Sequence, residues 1–117
     1  MKIGLSAFLA ALSLASPAFA HAHLDSASPA EGAVLTSPPE EILLAFTENL
    51  ELALSAVTLR DAAGEALEIP APAHDQGDPR SLRVALPDLA PGVYRVEWSV
   101  TSVDTHGSQG EFSFTLK

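Results

Sequence analysis

Two stretches of the chain alternate apolar and polar residues with a period of two. From Val93 to Val103, Tyr94, Val96, Trp98 and Val100 share one face, while Arg95, Glu97, Ser99 and Thr101 share the other. From Glu111 to Lys117, Phe112, Phe114 and Leu116 alternate with Ser113 and Thr115. Successive side chains of a strand point to opposite sheet faces, so this alternation predicts strands that lay one face on a core. Shorter runs predict further strands at Ile42–Phe46, Ala56–Arg60, Ala66–Ile69 and Ser81–Leu86, with an extended segment after His23.

Between these runs lie Ser28-Pro29-Ala30-Glu31-Gly32, Ser37-Pro38-Pro39, Ala62-Ala63-Gly64, Gly77-Asp78-Pro79 and Ala90-Pro91-Gly92. Each puts Pro or Gly where the backbone must reverse. About seven short strands at this spacing predict an all-β fold, an immunoglobulin-like antiparallel β-sandwich with Greek-key connections. Pro91-Gly92-Val93-Tyr94, leading into Trp98, predicts a tyrosine corner whose phenol bonds back across the turn. No strong amphipathic helix and no internal repeat is visible, and Pro70 to Pro79 reads as the loosest stretch.

The first twenty residues stand apart from this pattern. Lys2 gives a positive start, Ile3 to Ala15 is apolar, and Ala18-Phe19-Ala20 carries small residues at both cleavage-critical positions. This is the order of a secretory signal peptide, cleaved after Ala20. Its apolar run is shorter than the ~20 residues that span a bilayer, which argues against a permanent anchor. Residues 21–117 then form one domain with a single modest core, exported to the periplasm and not embedded in a membrane.

The formal net charge is −9, and removing Lys2 makes the exported part more acidic still. Such a surface repels phosphate backbones, so nucleic acid is excluded as a partner. There is no cysteine, and the one methionine is Met1. The exported domain therefore carries no disulfide and no sulfur ligand.

The candidate chemistry rests on histidines. Cleavage after Ala20 makes His21 the first residue, with a free α-amine and an imidazole that can close one chelate ring on a metal ion, a histidine brace. Asp104-Thr105-His106 offers a carboxylate and a second imidazole two residues apart, a spacing that puts both on one side of an extended strand end. Three nitrogens and one oxygen suit tetragonal Cu(II) better than Cu(I), which prefers sulfur; zinc accepts the same ligands. His21-Ala22-His23 allows a second mode, in which the amine, two deprotonated amides and the His23 imidazole wrap the ion without Asp104 or His106. A His23 backbone pinned in a strand disfavours that mode and leaves His23 as an auxiliary group. His74, among Pro, Ala and Asp in the loosest stretch, reads as a solvent-exposed histidine.

Several of these segments together resemble the periplasmic copper-resistance proteins of the CopC family. They are His21-Ala22-His23-Leu24, Ser28-Pro29-Ala30-Glu31-Gly32, Phe46-Thr47-Glu48-Asn49-Leu50, Gly77-Asp78-Pro79, Gly92-Val93-Tyr94-Arg95-Val96-Glu97-Trp98 and Ser102-Val103-Asp104-Thr105-His106. The resemblance implies an immunoglobulin-like sandwich that carries one Cu(II) on His21, Asp104 and His106, with Glu48 as a weak further ligand or nearby acceptor. It also implies a recipient, an inner-membrane copper transporter of CopD type. Some members carry a methionine-rich loop for Cu(I); the corresponding stretch here, about Arg60 to Pro72, holds Asp61-Ala62-Ala63-Gly64-Glu65 and no sulfur.

Two other functions are compatible with a sandwich that begins with histidine. An oxidative copper enzyme of the lytic polysaccharide monooxygenase kind needs an open coordination position and a face for polymer. Asp104 would fill that position, and the single Trp and single Tyr both fall on an inward strand face. A metal-free adhesion or chaperone module would make no use of His21. The expectation is a binding protein without catalytic residues, serving copper sequestration, resistance or delivery.

Overall fold

The computed structural model describes residues 21–117; the predicted signal peptide, residues 1–20, lies outside them. Eight strands follow one another as β1 (Leu24–Ser28), β2 (Val34–Leu35), β3 (Glu41–Phe46), β4 (Ala56–Arg60), β5 (Ala73–Asp75), β6 (Asp78–Ala85), β7 (Gly92–Thr101) and β8 (Gly107–Leu116). One 3-10 turn, Leu52–Leu54, precedes β4. Among the described residues no helix is long and apolar enough to cross a membrane.

The strands form two four-stranded sheets, ordered β1-β3-β6-β5 and β2-β8-β7-β4. The predicted sandwich is borne out, and the alternation explains which faces meet. Ile42, Leu44 and Phe46 of β3 and Leu82 and Val84 of β6 face Val57, Leu59, Tyr94, Val96, Val100, Phe112, Phe114 and Leu116 of the other sheet. Every second residue of β7 and β8 is thus inside, which is what a half-buried strand requires. Trp98 meets Phe46 across the two layers, edge to face with centroids 5.1 Å apart. The tyrosine corner is present too, with the Tyr94 hydroxyl donating to the Ala90 carbonyl at 2.5 Å.

Two expectations need correction, and one strand was not foreseen. Ala66–Ile69 is not a strand; it contributes a single bridge between Ala66 and Arg60, because Pro70 and Pro72 cannot donate to a continued ladder. The stretch from Pro70 to Pro79 is less loose than its composition suggests, since it contains β5 and the turn into β6. Gln76 and Gly77, both at positive φ, make that turn a tight hairpin. β2 was not foreseen, being only two residues long, and it pairs parallel with β8 in a sandwich otherwise antiparallel.

Gly110 in β8 lies opposite Trp98. A Cβ there would stand 2.5 Å from Trp98 Cζ2 and 2.8 Å from Cε2. The glycine is what lets the indole lie flat across β8. Gly110→Ala is expected to destabilise the fold by about 1–3 kcal/mol through overpacking. Urea unfolding followed by the emission of the single tryptophan measures this, and an unchanged midpoint would refute it.

Candidate metal centre

The ladder of β7 and β8 breaks after Thr101 and resumes at Gly107. Between them the chain reverses through a short turn: the Thr105 N–H donates to the Ser102 carbonyl at 2.8 Å, and the Ser102 N–H to the His106 carbonyl at 2.9 Å. Thr105 takes φ 73, a left-handed conformation that costs a β-branched residue roughly 1–2 kcal/mol. The Val103 N–H bonds the Asn49 carbonyl at 3.0 Å, so this residue leaves the ladder for the neighbouring loop. Asp104 and His106 therefore sit on a tight turn and not on the extended strand end that their spacing suggested. The turn still brings them together, with Asp104 Oδ1 3.3 Å from His106 Nδ1.

Beneath the turn lies Ser102, which is 1% exposed. Its hydroxyl donates to Asp104 Oδ1 and stands 3.1 Å from the His106 carbonyl oxygen. The bond from Ser102 is the main reason the Asp104 carboxyl is held below the usual carboxylate range. Desolvation opposes the shift, and hydrogen bonds and charge from His106 add to it. Folding favours the anion here, so its contribution to stability is complete above the ordinary carboxylate value and fades as pH falls through the lowered one. At neutral pH Asp104 is a carboxylate with lone pairs to offer.

The amino-terminal segment supplies the other half. Ala22 is wholly buried in the core, and its carbonyl accepts the Ser108 hydroxyl at 2.6 Å. The His23 N–H donates to Thr47 Oγ1 at 3.0 Å, and the His23 carbonyl accepts the Thr47 N–H at 3.0 Å. These contacts hold the first described residues against the end of the sandwich where β7 turns into β8. The His21 ring consequently faces the His106 ring, centroids 5.5 Å apart and tilted by 58°. Sequence reading missed Ser102, Ser108, Thr47 and the burial of Ala22. The only available signal was the position of both serines within two residues of Asp104 or His106.

Glu48 is half-buried and falls between Thr47, bonded to His23, and Asn49, bonded to Val103. Its loop therefore borders both halves of the site. His74 is not the exposed loop residue expected; it is half-buried in β5, with Nδ1 2.9 Å from the Ser81 carbonyl oxygen. That bond ties it to β6, apart from the β7–β8 turn. Among the described residues no three His, Cys, Asp or Glu side chains form a ready-made metal cage. A histidine brace does not require one, because its amine and one imidazole come from a single terminal residue.

The chain matches the CopC domain over residues 24–117. It is 39% identical to copper resistance protein C of Xanthomonas campestris pv. juglandis, over 99% of this chain and 96% of that one. It is 39% identical to protein YobA of Escherichia coli K12, over 90% of this chain and 86% of that one. Among solved structures, CopC from Methylosinus trichosporium OB3b superposes with a TM-score of 0.78 at 30% identity, covering 83% of this chain and 94% of that one. PcoC of Escherichia coli, described as a methionine-rich copper resistance protein, gives a TM-score of 0.74 at 32% identity, covering 84% and 100%. The chain belongs to the CopC family.

Proposed function

We propose that the processed chain is a periplasmic Cu(II)-binding protein that holds one ion on the His21 amine and imidazole, the His106 imidazole and the Asp104 carboxylate. The observation that carries this reading is the meeting of His21 and His106, rings 5.5 Å apart, beside a carboxylate 3.3 Å from the His106 ring nitrogen. Metal bonds to nitrogen and oxygen run about 2.0–2.2 Å, so ligands in adjacent positions stand roughly 3 Å apart. Asp104 and His106 already keep about that separation, and the His21 ring stands beside them on an exposed residue.

Nitrogen and oxygen donors favour the divalent ion, and copper heads the divalent affinity series. PcoC is described as methionine-rich, whereas this chain has only Met1, so no soft site for Cu(I) is proposed. Four donors fill a tetragonal plane and leave little room for oxygen chemistry, which supports a carrier over a catalyst. Copper is here a cargo, sequestered for resistance or homeostasis, or passed to an inner-membrane transporter.

The test is mass and metal analysis of protein exported and processed in its own cell. The expected result is an amino terminus at His21 and one Cu(II) per chain, with a nitrogen-rich tetragonal electron paramagnetic resonance spectrum. A processed protein that binds no copper would end this reading.

A further inference from the structure

Three polar residues are buried in the described part of the chain, Ser55, Ser81 and Ser102, and Ser102 is the most enclosed. A hydroxyl in such a place needs a partner, since leaving it unpaired costs about 1–3 kcal/mol. Ser102 has two acceptors in reach, Asp104 Oδ1 and the His106 carbonyl oxygen at 3.1 Å, but only one proton to give. The His106 carbonyl is already served by the Ser102 backbone N–H at 2.9 Å. The hydroxyl proton therefore goes to the carboxylate, the charged and nearer acceptor, where the bond is stronger.

We infer that Ser102 is a positioning residue of the copper site: its hydroxyl locks the Asp104 carboxylate in orientation before the ion arrives. The inference rests on the copper reading above. Asp104 itself is on the exposed side of the turn, with 46% of its side chain accessible; its other contacts, the His106 N–H at 3.5 Å and His106 Nδ1 at 3.3 Å, are longer, so the Ser102 bond is the one that fixes it. A carboxylate that must be immobilised on binding gives up rotamer entropy at that moment, and one already immobilised does not. Ser102 also keeps the turn closed through its backbone, a role that any residue at this position retains. The two roles are separable, because only the first needs the side-chain hydroxyl.

The test uses protein with the native His21 terminus, carrying Ser102→Ala, Ser102→Thr, Asp104→Ala, or Ser102→Ala combined with Asp104→Ala. Cu(II) affinity is read by competition with a chelator, and the ligand field by electron paramagnetic resonance. Ser102→Ala is expected to weaken binding about 10- to 100-fold, as loss of a hydrogen bond to a metal ligand does, and to shift the spectrum. Ser102→Thr, which keeps the hydroxyl, should restore both. With Ala at 104, which has no acceptor for the serine hydroxyl, the serine change should cost less than about twofold, because the partner it positions is gone. Ser102→Val, isosteric with the threonine variant but without its hydroxyl, serves the same comparison if the alanine variant does not fold. An equal loss in both backgrounds, or no loss in either, would overturn the role assigned to Ser102. If Asp104→Ala and His106→Ala, measured beside these variants, both bind copper like the unaltered protein, the copper site itself is wrong, and this inference goes with it.

Discussion

A single residue added before His21 is expected to lower Cu(II) affinity on the order of a thousandfold, equivalent to about 4 kcal/mol. The extension turns the α-amine into an amide, which does not bind a metal at neutral pH without losing its proton. It also opens the chelate ring, so the His21 imidazole must bind alone. The fold should not notice. His21 is exposed, and the anchors of the segment begin one residue later, with the buried Ala22 and its carbonyl on Ser108. The measurement is a chelator competition on matched proteins with and without the extra residue, beside thermal unfolding of both apo forms. Equal copper affinity in the two would remove the amine from the ligand set. A lowered apo melting temperature would show that the terminus matters to folding instead.

Alternation was sufficient for β4, β7 and most of β8, since each lays every second side chain on one core. It was silent on β2 and β5, which have two and three residues and too few positions to show a period. It misled at Ala66–Ile69, where apolar residues pack on the core without a ladder. At the candidate site, the residue types of Asp104 and His106 were legible, and the mechanism that joins them was not. Their spacing fits a strand end, but the actual device is a turn held by the Thr105-to-Ser102 and Ser102-to-His106 bonds. Whether a residue two apart points to the same side depends on such bonds. Nothing in the local composition of Ser-Val-Asp-Thr-His fixes them, because they depend on Val103 being drawn toward Asn49 from a distant part of the chain.

His106→Ala should cost about a hundredfold in Cu(II) affinity, while His23→Ala should change it by less than about threefold. The contrast separates the brace from the alternative in which the terminal amides wrap the ion. That alternative needs the His23 imidazole and also needs the His23 amide nitrogen to lose its proton and turn toward the metal. In the folded chain this N–H donates to Thr47 Oγ1, and the carbonyl of the same residue accepts from Thr47. The Ala22 carbonyl, in the peptide unit that contains the His23 nitrogen, is held by Ser108. Recruiting the amide would break all three bonds and pull the Ala22 methyl from the core. Each lost bond costs about 0.5–1.5 kcal/mol, so the wrapped mode would start several kcal/mol behind the brace. Thr47→Val offers an independent check, since it frees the amide without touching any proposed ligand. Under the brace it leaves copper affinity and the spectrum nearly unchanged; a gain in affinity with a spectrum richer in nitrogen would mean that the amides had been waiting to bind. If His23→Ala proves more damaging than His106→Ala, the ion sits in the terminal peptide and the turn at Asp104 and His106 has another purpose.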